Sequence, residues 1–265
     1  MSTPSAHLVG RRWFLRQAGR GAVGFAVLGL AACSGTDDPT TENTRDAENT
    51  DAAAPETPTQ TRSSTAGASG GLAWSRVDLG FVAAYVLVRG REAAVVDTGV
   101  GGSADAIGTV LDDAGPGWAG VRHVVLTHKH PDHAGSVGDV LSAATKASGY
   151  VGAADLAEVD APRDLRALGD GEDVFGLRVV ATPGHTAGHL AVFDADTGVL
   201  VAGDALTNMG GLAGSNPQFT EDKAAAVASV RKLAGLQPRT ILVGHGEPVL
   251  DGAAAALQEL ASSLT

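Results

Sequence analysis

Thr127-His128-Lys129-His130-Pro131-Asp132-His133, directly after the apolar run 121–126, constrains this chain more than any other stretch. Three imidazoles and a carboxylate fall within six residues. Neutral imidazole and carboxylate are the nitrogen and oxygen donors that zinc and other first-row divalent ions take. The apolar run reads as a buried strand that ends at Thr127, and Pro131 disfavours helix before it. His128 and His130, two apart in extended chain, project to one side. Asp132 and His133, where the next helix begins (134 onward), face another point. One turn can thus supply half the ligands of each of two neighbouring ions.

The segments around this turn predict an α/β domain over residues 72–265. Strands are expected at 74–79, 82–88, 93–96, 121–126, 149–151, 177–181, 189–193, 199–202 and 240–243. Helices are expected over 103–114, with Ser103 as cap, from 134 through about 146, over 221–236 and over 253–264. Residues 152–176 read as irregular and charged, with a helical piece near 153–159, and 206–219 as a Gly- and Asn-rich loop. Candidate ligands recur just past strand ends, at His185, Asp204 and His245, where loops converge on one rim. Asp97 also ends a strand and reads as an architectural hydrogen-bonder. His189 reads as an orienting or core histidine, Lys129 as solvent-facing, and His123 and His7 as having no role. Leu206, Met209, Leu212 and Phe219 are candidates for a pocket wall.

The first 33 residues read as an address. Arg11-Arg12-Trp13-Phe14-Leu15 is a twin-arginine pattern, followed by an apolar run over 21–32 that falls short of the roughly 20 apolar residues a spanning helix needs. Leu30-Ala31-Ala32-Cys33 looks like a bacterial lipobox, which implies cleavage before Cys33 and acylation of its thiol and new amine. Cys33 is the single cysteine, so neither an internal disulfide nor a thiolate ligand in the domain is available. Residues 34–71 are rich in Thr, Asp, Ala, Pro and Glu and read as a disordered tether. The expectation is an exported protein, lipid-anchored on the outer face of the bacterial cytoplasmic membrane. A net charge of −11 argues against nucleic acid as a partner, since that affinity rests on clustered Lys and Arg. A small-molecule substrate is expected instead.

His128-x-His130-x-Asp132-His133, Thr182-Pro183-Gly184-His185-Thr186-Ala187-Gly188-His189, Gly203-Asp204 and Gly244-His245-Gly246, with Asp97-Thr98-Gly99 before them, resemble in order and spacing the metallo-β-lactamase superfamily. The resemblance implies a four-layer αββα sandwich of two mixed sheets. It implies two divalent ions, zinc foremost, one held by His128, His130 and His185 and the other by Asp132, His133 and His245. Asp204 would bridge them beside a water or hydroxide nucleophile, with Asp132 as its orienting and proton-accepting group. Asp204 resembles the bridging carboxylate of glyoxalase II-like thioesterases, lactonases and phosphodiesterases. True zinc β-lactamases carry cysteine or serine there, which demotes that activity. The implied reaction is hydrolysis of an ester, thioester, lactone or amide. A mononuclear iron persulfide-type dioxygenase using His128, His185 and Asp204, and a non-catalytic tethered binding protein, are the competing readings.

Overall fold

A computed structural model describes residues 71–265 and the short strand β1 (Ser63–Ser64). The address, Cys33 and most of the tether lie outside the described residues; β1 falls inside the segment that composition assigns to the tether.

β1, β2 (Ala73–Asp78), β3 (Ala83–Arg89), β4 (Glu92–Val96), β5 (Val121–Val125), β6 (Ser148–Gly152) and β7 (Arg166–Leu168) form one sheet in sequence order. Its first four strands are antiparallel and β4 to β7 run parallel. The second sheet contains β8 (Asp173–Val174), β9 (Leu177–Ala181), β10 (Leu190–Asp194), β11 (Val199–Gly203) and β14 (Thr240–Val243), ordered β14-β11-β10-β9-β8. Only β11 and β14 are parallel there. A small hairpin, β12 (Leu206–Asn208) and β13 (Leu212–Gly214), precedes α5 (Lys223–Ala234).

The layering follows from side chains alternating across each strand. On β3, Ala83, Tyr85 and Leu87 enter the core between the sheets, where they meet Leu177, Val179, Val192 and Val201. Ala84 and Val86 point the other way, under Ile107 and Leu111 of α1 (Ala104–Asp113) and Val140 and Leu141 of α4 (Val137–Ala143). On the far side, Ala191, Leu200 and Ile241 pack beneath Val230 and Leu233 of α5 and Leu257 of α6 (Ala253–Ser263). Helices, sheet, sheet and helices make the αββα sandwich. Fully burying each leucine, isoleucine or valine side chain among these contributes about 1.5–3 kcal/mol, which holds the four layers in register. Among the described residues no helix is long and apolar enough to cross a membrane.

Several local expectations need correction. A four-residue turn of helix, α2 (Gly117–Gly120), follows the Gly-Pro-Gly stop. The helix after the histidine turn is split into α3 (Pro131–Ala134) and α4, which ends at Ala143 rather than near 146. Pro131 opens α3 because the first helical position needs no N–H. Ser103 stands before α1, but its hydroxyl donates to the Val100 carbonyl (2.7 Å) instead of capping. Asp222 caps α5, accepting from the Ala224 and Ala225 N–H groups at 2.9 and 3.0 Å.

Candidate metal centre

All seven proposed ligands leave their strands at one rim of the sandwich. β5 delivers the 128–133 turn, β9 is followed by His185, β11 by Asp204 and β14 by His245. Backbone bonds stitch the two sheets together here: Leu190 N–H donates to the Thr127 carbonyl (2.8 Å) and Ala83 N–H to the Gly244 carbonyl (2.9 Å). The Tyr85 hydroxyl adds a third tie, to the Val243 carbonyl at 2.8 Å.

Donor atoms gather into three groups, each within 4.8 Å: His128, His130 and His185; His128, His133 and Asp204; and Asp132, His133 and His245. The His130 Nδ1 lies 3.0 Å from the His128 Nε2 and 2.9 Å from the His185 Nε2. Asp204 stands between the outer groups, its Oδ2 being 3.4 Å from the His185 Nε2 and 3.2 Å from the His245 Nε2. Its Oδ1 is 3.2 Å from the His133 Nε2, and the Asp132 Oδ2 is 3.3 Å from the His245 Nε2.

Outer hydrogen bonds fix which ring nitrogens carry lone pairs toward the centre. The Thr127 hydroxyl donates to Asp97, so the His128 Nδ1–H must donate to the Thr127 oxygen, and Nε2 is left inward-facing. The His133 Nδ1–H donates to the Asp97 carboxylate (2.8 Å) and the His245 Nδ1–H to the Phe81 carbonyl (2.7 Å). For His185 a chain decides. Thr220 donates to the Asn216 carbonyl, Ser215 donates to Thr220, and the His185 Nδ1–H donates to Ser215. Such outward donation is how metal-binding histidines are oriented and made more basic. His189 differs: its Nε2 accepts from the Asp204 N–H (3.0 Å) and its Nδ1–H donates to Thr182 (2.8 Å), so both nitrogens are spent. It therefore orients Asp204 from behind.

Donors aimed at one another are unfavourable unless a cation sits among them, and this centre fits one. The His133 Nε2 and Asp204 Oδ1 are buried 3.2 Å apart with no hydrogen-bond partner of good geometry, so both face the space between them, where a bound ion would take their lone pairs. Electrostatics agree. Burial holds His128 well below the usual imidazole value and takes His185 down to about 4. His133 is also opposed by burial, yet Asp204 and Asp97 outweigh that and raise it well above. Hydrogen bonds to Asp132 and Asp204 lift His245 to about 10. Asp132 is lowered chiefly by His245; Asp204, despite burial, is held far down by His133 and its neighbours. The carboxylates that favour protons on His133 and His245 favour a metal cation by the same field.

Asp97 is the hub behind the turn. Its backbone takes φ 63°, a left-handed conformation that needs support from its surroundings. Oδ1 accepts from the Thr127 N–H (2.7 Å), and Oδ2 from the Thr127 hydroxyl (2.9 Å) and from His133. Gly244 is required by close approach: a Cβ there would lie 2.3 Å from the Asp204 Oδ1 and 2.6 Å from the His133 Cε1.

The sequence reading missed Asp155, which is fully buried. It accepts from the Lys129 N–H (3.1 Å), the Thr186 hydroxyl (2.6 Å) and the Gly188 N–H (2.8 Å), clamping the two histidine turns together. A lone aspartate in a charged segment carries no pattern that marks it. Ser215 and Phe81 were missed for the same reason. Lys129 is not solvent-facing: its ammonium bridges Glu158 (2.6 Å) and Glu221 (2.9 Å). The centre opens into a cleft of about 680 Å³ whose walls include Met209 and Phe219, whereas Leu206 and Leu212 pack in the core.

A four-layer sandwich with a His/Asp rim between its sheets defines a class of metal-binding proteins. The chain belongs within it to the metallo-beta-lactamase superfamily, whose family model matches residues 77–245. It is 37% identical over 134 residues to a hydroxyacylglutathione hydrolase of Cereibacter sphaeroides, covering 49% of this chain and 49% of that protein. It is 29% identical over 173 residues to the thioesterase pkgB of Emericella nidulans, covering 63% and 46%. The chain thus spans about half the length of these curated relatives, which are hydrolases. A metallo-beta-lactamase family protein of Thermus thermophilus superimposes with a TM-score of 0.58 at 27% identity, over 72% of this chain and 78% of that one.

Proposed function

We propose that the chain is a two-zinc hydrolase of an ester, thioester, lactone or amide. The observation that carries this reading is the convergence of inward lone pairs on two adjoining pockets with Asp204 between them. Nitrogen and carboxylate donors without thiolate suit zinc. His128, His130 and His185 would hold one ion, Asp132, His133 and His245 the other, and Asp204 both. Bound there, the ions supply Lewis acidity and a water acidified to near neutral pH.

The remaining work belongs to the chain. Asp132, half-buried at the cleft, orients the nucleophilic water through its carboxylate and takes its proton. The Phe81 carbonyl accepts the His245 Nδ1–H, which fixes that ring so that its Nε2 lone pair would face the ion beside Asp132. Asp97 and Asp155 hold the turns so that no ligand needs to move during the reaction. Elemental analysis of the purified chain, coupled to a panel of esters, thioesters and lactones, tests the reading. Two zinc per chain with turnover is expected. One iron per chain with oxygen uptake on a persulfide would replace it with the dioxygenase reading, and a fully metal-loaded chain inert on the whole panel would favour a binding protein.

The address and Cys33 support export and lipid anchoring, with the tether separating domain from membrane. Cys33→Ser should release the protein into the soluble fraction; continued sedimentation with membranes would exclude the anchor.

A further inference from the structure

Four large apolar side chains are exposed among the described residues, and three of them, Phe81 (62%), Met209 (76%) and Phe219 (58%), line the cleft of the metal centre. They arrive from three separate turns: between β2 and β3, at the tip of the β12–β13 hairpin, and before α5. Burying apolar area drives binding, so leaving this much of it in water beside a polar centre marks a surface that a ligand covers. The cleft volume lies within the roughly 300–1,000 Å³ typical of small-molecule sites.

Charge narrows the ligand further. Among the described residues the ionisable groups lining the cleft are His130, Asp132, His185, Asp204 and His245, with no lysine or arginine. Lys129 is tied down by Glu158 and Glu221, and Lys223 lines an adjoining cavity of about 260 Å³, on the other side of Ala213, Gly214 and Pro217. Carboxylates and phosphates on a substrate are normally met by Arg or Lys. A carboxylate remote from the ions, as on a glutathione carrier, finds no such partner on these walls.

We propose that the substrates are uncharged esters or thioesters whose aliphatic or aryl acyl group lies against Phe81, Met209 and Phe219. This rests on the hydrolase reading and adds the substrate class. The ester carbonyl sits at the metal centre, and the apolar tail displaces water along the three side chains.

The test uses the purified full chain, loaded with zinc, and p-nitrophenyl esters of two to six acyl carbons. About 0.8 kcal/mol per buried methylene predicts a rise in kcat/KM of about fourfold for each one added. The adipate monoester, a hexanoyl chain ending in a carboxylate, should fall at least tenfold below the hexanoate. Met209→Ser with Phe219→Ser should cut the hexanoyl-to-acetyl ratio about tenfold. A second readout is independent of turnover: the neutral dye N-phenyl-1-naphthylamine should bind the metal-free chain, be displaced by hexanamide, and bind the double variant far more weakly. An acetyl ester turned over as well as the hexanoyl ester, or a preference for the adipate, overturns the substrate class and leaves the hydrolase reading standing. If no ester turns over while the dye binds and is displaced as stated, the ester substrates are overturned, and the hydrolase reading is then decided by the thioesters and lactones of the wider panel. If the double variant changes only the oligomeric state and not the ratio, the patch is a subunit contact and the proposal is overturned.

Discussion

The two ligand pockets draw on the same turn, yet their histidines are kept in opposite states. His128 and His185 are held neutral by burial, ready to donate lone pairs. His133 and His245 lie against Asp97, Asp132 and Asp204, which favour their charged forms. A cation entering the first pocket finds these two imidazoles already unprotonated; one entering the second must expel protons. The difference teaches that ligand identity alone does not set a site's affinity, since carboxylates placed behind and beside a histidine decide what it costs to bare its nitrogen.

Substituting the carboxylate that belongs to the second pocket alone should have the largest effect. Asp132→Asn is expected to lower turnover by roughly 10²–10⁴-fold, the range of a lost general base, with the far-UV circular dichroism unchanged. Near-normal turnover would remove Asp132 from the chemistry. Asp97→Asn comes next: the His133 tautomer loses its fixed partner, and affinity for the second ion should drop about 10–100-fold, read by chelator competition, while the first ion, whose His128 Asp97 reaches only through Thr127, weakens less. Equal loss of both ions would erase the distinction between pockets. Gly244→Ala pushes a methyl group between Asp204 and His133, so it should cost about 1–3 kcal/mol of stability, seen as a lowered Tm, and should weaken the second ion before the first.

The smallest effect is on pH dependence. With His245 raised to about 10 and His133 raised well above an ordinary imidazole, both bind protons at neutral pH in the metal-free chain. Affinity for the second ion should therefore keep rising with pH through 7 and 8, with release of about two protons per ion bound. Affinity for the first should change far less over that range, because His185, at about 4, has already lost its proton. Calorimetry in buffers of different ionisation enthalpy measures both, and equal proton release at the two steps would contradict the comparison.

How much of this was legible in sequence follows from how local each feature is. The turn from His128 to His133 carries four donors within six residues, and near-continuous apolar runs such as Ala83–Arg89 and Leu190–Asp194 announce strands covered on both faces. Residues 206–219 read as loop because glycine and asparagine recur in them, yet they hold the β12–β13 hairpin. Its register comes instead from contact with the His245 loop, where Asn208 N–H donates to the His245 carbonyl (2.9 Å). β7 and β8 hid in a charged segment for a similar reason, since each is three residues or fewer and is set by its neighbour strand. Asp155, Ser215 and Phe81 reach the histidine turns over long separations: Asp155 bonds Lys129 at 26 positions and Thr186 at 31, Ser215 bonds His185 at 30, and Phe81 bonds His245 at 164. No spacing rule reaches that far.

β14 sits at the border of its sheet, joined in parallel to β11, and it alone carries His245 into place. A nascent or partly unfolded chain in which that border strand has not yet seated lacks the last donor of one pocket, however well the rest is formed. Capture of the full metal complement is then a certificate of finished folding, issued only once the outermost strand has docked.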